Sequence, residues 1–80
     1  MEVYGYEKGS DKEEPIRLSE VSLLLTLEEI DSMIEFFKYV RDSHGKLSTV
    51  SGLYHSHLKD WSGNANLEPD IIVLSKFDNK

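Results

Sequence analysis

The sequence contains no cysteine, which excludes a disulfide framework, a thiol nucleophile and a thiolate metal ligand. Two prolines and five glycines among 80 residues are too few for a proline-rich or low-complexity chain. Basic residues are scarce as well. Nine Lys and Arg stand against 15 Asp and Glu, a formal net charge of −6. Such a chain repels phosphate backbones and anionic membrane surfaces, because binding to either depends on clustered Lys and Arg. No apolar run approaches the roughly 20 residues of a spanning helix. Met1 is followed by Glu2 and a polar stretch, so no signal peptide is expected and a cytoplasmic location is. The length predicts one domain, with a core that contributes only about 3–5 kcal/mol of net stability. A core of that size leaves little material to wall a substrate cleft, and a partner surface can matter to folding.

What is present reads as an α+β domain of ββαββ order. Residues 2–7 form a first strand, Tyr4 and Tyr6 alternating with Val3 and Gly5. Lys8-Gly9-Ser10-Asp11-Lys12-Glu13-Glu14-Pro15 is a polar hairpin connection. Residues 16–26 read as a second strand whose parity changes: Ile16 and Leu18 share one face, Val21, Leu23 and Leu25 the other. A β-bulge near Ser19-Glu20 would reconcile the two sets. Thr26-Leu27-Glu28-Glu29 is a capping box, and its acidic pair suits the positive end of a helix dipole. At about 100° per residue, Ile30, Met33, Ile34, Phe37 and Val40 make one apolar stripe. The helix is expected to stop near Ser43-His44-Gly45, with Gly45 left-handed. Residues 46–54 give no strong signal, 55–61 read as a short strand or an ordered loop, and 62–69 as a turn. Residues 70–77 close the chain as a strand.

A mostly antiparallel sheet of three to four strands with the helix on one face is the expected architecture. Ile71 and Val73 point one way from the last strand, Ile72 and Leu74 the other. The second face then needs a cover, either residues 46–58 with Leu47, Val50, Leu53 and Tyr54, or another chain.

His55-Ser56-His57 has the H-x-H form of several metal sites, since on a strand both imidazoles would share a face. Asp60 could add a carboxylate and His44 a third imidazole, a donor set suited to zinc or another divalent ion. The alternative is a structural pair, one ring exposed and one bonded to a carbonyl or to Asp60, with no metal and no cofactor. Glu13, Glu14, Glu28 and Glu29 are the carboxylates available for acid–base work, but capping already accounts for the last two. The chain has no G-x-S-x-G motif and no glycine-rich phosphate loop, so catalysis is not expected.

The outer surface of the helix carries more information. Glu28, Asp31 and Glu35 sit three and four residues apart, Tyr39 continues the line and Phe36 borders it. Charge for steering beside aromatic area for anchoring is the make-up of a protein-binding surface. Tyr4 and Tyr6 fit either a contact or a packing role, and Trp61 reads as a core anchor.

The motifs in succession carry a resemblance that none carries alone: Val3-Tyr4-Gly5-Tyr6, Leu18-Ser19-Glu20-Val21, Thr26-x-Glu28-Glu29-Ile30 with Phe36-Phe37, His55-x-His57-Leu58-x-Asp60-Trp61, and Pro69-Asp70-Ile71-Ile72-Val73. Over nearly the whole chain this order resembles the immunity protein 32 family, small bacterial proteins grouped with polymorphic-toxin immunity proteins. The resemblance implies a non-enzymatic protein that neutralises a cognate toxin by direct binding. Residues 46–54 carry no family feature. An acidic inhibitor suits a basic nuclease toxin through electrostatic steering, with Glu28, Asp31, Glu35, Phe36 and Tyr39 as the contact strip. Two other readings stand beside this one: a divalent-metal-binding protein using His55, His57 and Asp60, and a structural homodimer built on the second sheet face.

Overall fold

The capping box starts the one long helix. In the computed structural model, the Thr26 hydroxyl accepts the Glu29 amide at 3.1 Å, and the Glu29 carboxylate accepts the Thr26 amide at 3.0 Å. Those bonds from Thr26 hold the Glu29 carboxyl below its ordinary range. Residues 1–9 and 14–78 are described. Part of the expected hairpin connection, with Asp11 and Glu13, lies outside them. The elements run β1 (Val3–Gly5), β2 (Ile16–Leu18), α1 (Leu27–Gly45), β3 (Gly52–His57), α2 (Leu58–Ser62) and β4 (Ile72–Phe77).

α1 ends where expected, by a different device. Gly45 is not left-handed, and Lys46 at φ −67° caps the helix in right-handed geometry. The amides of Leu47 and Ser48 reach the carbonyls of His44 and Gly45 at 3.0 and 3.3 Å. This tightening of the last turn satisfies terminal carbonyls without a left-handed residue. The role expected of Gly45 belongs to Gly63, whose φ of 73° ends α2.

The strands do not form a single sheet. β1 pairs antiparallel with β2, setting Val3 opposite Leu18 and Gly5 opposite Ile16. β3 pairs antiparallel with β4, from Gly52 opposite Phe77 to His57 opposite Ile72. The expected sheet of three to four strands is therefore two separate two-stranded sheets. The parity change bears on where β2 stops. A straight strand cannot bury Ile16 and Leu18 together with Val21, Leu23 and Leu25, and β2 ends at Leu18 instead of bulging. Of the following residues, Leu25 packs on the core whereas Val21, Leu23 and Leu24 are exposed.

Met33, Phe36 and Val40 form the core, with Leu25, Leu58, Trp61, Ile71 and Val73 packed around them. The inward stripe of α1 is thus Met33, Phe36, Val40 and His44, not the one expected through Ile30, Ile34 and Phe37. α1 is apolar over more of its circumference than one two-stranded sheet can cover, and contact with Trp61 and Val73 selects the side. β4 alternates as expected, with Val73 inward and Ile72 and Leu74 exposed. Residues 46–58 do not cover that outward face, since Leu47, Val50 and Leu53 are themselves exposed.

Candidate functional site: the outer face of α1 and the histidine cluster

Glu28, Asp31 and Glu35 are all exposed on α1. Their spacing puts them on the side of the helix turned from the core. Glu35 bonds Lys38 at 3.1 Å, an exposed pair one turn apart that contributes little to stability. Glu28 and Asp31 form no ion pair among the described residues. Tyr39, partly exposed, continues the strip into a shallow depression of about 260 Å³ that it lines with His55, Ser56, His57, Asp60 and Trp61. Phe36 does not border this surface. It is 0% exposed, packed against Trp61 with ring centroids 5.6 Å apart. An aromatic ring at that helix angle is buried by the tertiary contact, so Phe36 leaves the candidate contact set. Tyr4 and Tyr6 are exposed on and beside β1.

The three histidines have three separate situations. His44, from the last turn of α1, is buried. Its Nδ1 lies 2.6 Å from the Ser75 hydroxyl and its Nε2 2.9 Å from the Ser56 hydroxyl. A neutral imidazole donates through one nitrogen and accepts through the other, and a serine hydroxyl can do either, so both ring nitrogens are satisfied. His44 therefore ties α1 to β3 and β4 and has no free nitrogen for a metal.

His57 is bonded to a carboxylate, though not to Asp60. Its Nδ1 lies 2.7 Å from Asp70 Oδ2, and the other Asp70 oxygen accepts the Lys59 amide at 2.9 Å. Burial alone would raise the Asp70 carboxyl. The bonds from His57 and the Lys59 and Ile71 amides, with the charge of His57, outweigh that and hold it below the ordinary carboxylate range. Asp70 thereby joins the end of β3, the first turn of α2 and the approach to β4. His55, on the same strand face as His57, stacks edge-on to it at 5.3 Å. The two imidazoles share a face as H-x-H requires, but no three His, Asp or Glu side chains among the described residues converge to hold a metal ion. The ligand set His55, His57 and Asp60 is not assembled.

Sequence reasoning passed over Asp70, Ser56 and Ser75. Asp70 lies 13 residues from His57, and Ser75 lies 31 from His44. No local spacing rule spans such separations. The one signal in the sequence was the presence of an Asp and a Ser on, or just before, a strand able to pair with the histidine strand. A second, largely apolar groove of about 430 Å³ runs between residues 22–25, the start of α1 and residues 67–71. Among the described residues, no helix is long and apolar enough to cross a membrane. Compared with protein families, curated proteins and solved structures, the chain shows no match.

Proposed function

We propose that the protein is a non-catalytic, cytoplasmic binding protein of the immunity type, which neutralises a cognate bacterial toxin by covering a basic surface on it. The observation that carries this reading is the outer face of α1. Glu28, Asp31 and Glu35 stand exposed in one line on the side of the helix away from the core, and partly exposed Tyr39 extends that line into the depression beside Trp61. Carboxylates so placed accelerate encounter with a basic partner. A tyrosine beside them supplies apolar contact area with little side-chain entropy to lose. The succession of motifs resembling immunity proteins supports the same reading.

The contact set is Glu28, Asp31, Glu35 and Tyr39. The test combines Glu28→Lys, Asp31→Lys and Glu35→Lys in one chain and measures association, across a salt series, with the product of a gene adjacent to this one that encodes a basic nuclease-like domain. Steering predicts an association rate at least about tenfold slower at low salt, with a flattened salt dependence. A triple variant that associates at the wild-type rate, or a neighbouring product that does not bind the wild-type chain, overturns the proposal.

A further inference from the structure

The depression at the end of the acidic strip offers hydrogen-bond acceptors, and His57 fixes that polarity. Its Nδ1 lies 2.7 Å from Asp70 Oδ2. An ionised carboxylate can only accept, so Nδ1 carries the proton and the Nε2 of the neutral ring is an acceptor. Nε2 makes no hydrogen bond among the described residues. No buried side-chain nitrogen or oxygen among them lacks a partner, so Nε2 is open to solvent. His57 lines the depression and Asp70 does not, which leaves the Nε2 edge of the ring for whatever enters.

The other groups around it share this polarity. Asp60 is exposed, and its carboxylate has no hydrogen bond or ion pair among the described residues. It too can only accept. Tyr39 and Trp61 contribute aromatic rings, whose faces attract cations. No Lys or Arg lines the depression, and Glu28, Asp31 and Glu35 lead up to it along α1. A phosphate or carboxylate would meet Asp60 and an imidazole lone pair, with no cation to offset them. The volume of about 260 Å³ falls below the roughly 300–1,000 Å³ of pockets that enclose a small molecule, and suits the end of one side chain. An ammonium is a compact, strongly hydrated point charge. A guanidinium is planar, more weakly hydrated, presents several N–H groups in a fixed fork and stacks on aromatic rings. Two separate acceptors beside two aromatic rings match the guanidinium.

We propose that the depression formed by Tyr39, His57, Asp60 and Trp61 is a guanidinium-binding site, filled by an arginine side chain of the basic protein partner. Asp60 and His57 Nε2 accept charge-assisted hydrogen bonds from it, and Tyr39 and Trp61 supply the stacking surface. Asp70 is a positioning residue that holds the His57 tautomer. The partner as the source of the arginine rests on the proposed binding function, whereas the chemistry of the depression does not. The acidic strip acts on encounter, and the depression acts on how long the complex lasts.

Chemical-shift titration of the full chain with N-acetyl-arginine amide reads the site through the signals of Tyr39, His57, Asp60 and Trp61. N-acetyl-citrulline amide serves as the uncharged analogue and N-acetyl-lysine amide as the ammonium. Arginine should give saturable shifts at those residues, with an affinity at least about fivefold above either comparison. Asp60→Asn should weaken arginine by about fivefold, as should His57→Asn, which keeps a donor toward Asp70 but removes Nε2. Glu68→Gln, away from the depression, should not. In the complex with the basic partner, Asp60→Asn should speed dissociation by about fivefold or more. An unchanged dissociation rate overturns the partner as the source of the guanidinium. No saturable shift at these residues, an equal response to lysine or to inorganic phosphate, or an unchanged arginine affinity in Asp60→Asn overturns the site itself. The arginine–citrulline comparison uses the wild-type chain, so it decides the matter if a variant fails to fold. It needs no partner either, so its failure is distinct from failure of the charge-reversal test on the acidic strip.

Discussion

Replacing His44 by Leu tests whether the imidazole clamp holds helix and sheet together. Leu keeps apolar volume in the buried position but removes both ring nitrogens, which bond the Ser75 and Ser56 hydroxyls at 2.6 and 2.9 Å. Two hydrogen bonds at about 1 kcal/mol each, plus hydroxyls left without partners in a half-buried site, give a loss of about 2–3 kcal/mol. A domain of this size has only a few kcal/mol in hand, so the variant should sit near the edge of folding. With an unfolding entropy of about 2.1 cal/mol/K per residue, the melting temperature should fall by about 12–18 °C. Thermal and urea melts followed by circular dichroism at neutral pH measure this. The decisive arm adds Ser56→Ala and Ser75→Ala to His44→Leu. Removing both partners of a buried hydrogen bond is nearly neutral where removing one is not, so the triple variant should recover most of the loss. If His44→Leu melts within a degree or two of wild type, or if the serine changes deepen the loss, the clamp does not hold the fold.

Two further expectations concern the other caps. Thr26→Ala removes the hydroxyl that accepts the Glu29 amide and should cost about 1 kcal/mol; an unchanged melting temperature would show that water replaces the cap. Asp70 titrates lower in the folded chain than in the unfolded one, so its ionised form contributes stability that is complete above the unfolded carboxyl pKa of about 3.9 and lost as pH falls through the lower folded value. The gap in melting temperature between wild type and Asp70→Asn should accordingly be full at neutral pH and close in strong acid; a gap that stays constant, or widens as pH falls, would refute this.

The features legible in the chain alone are local. Thr26 and Glu29 are three residues apart, and each side chain accepts the other's backbone amide, so the start of α1 needs nothing beyond that segment. The helix length, the closing strand and the acidic line of Glu28, Asp31 and Glu35 follow from periodicity in the same way. Tertiary structure decided which side of α1 turns inward. The helix is apolar across two adjoining arcs, and only Trp61, Leu58 and Val73 in place select Phe36 over Phe37. It also decided that His44 is a clamp and that His57 pairs with Asp70 instead of Asp60, because pairing β3 with β4 joins residues far apart in the chain. It left the expected sheet as two two-stranded ones and ended β2 at Leu18, where the change of parity allowed either a bulge or an end. Short-range bonds are encoded by spacing alone. The inward face and the long-range partners depend on what else in the fold is present to be covered.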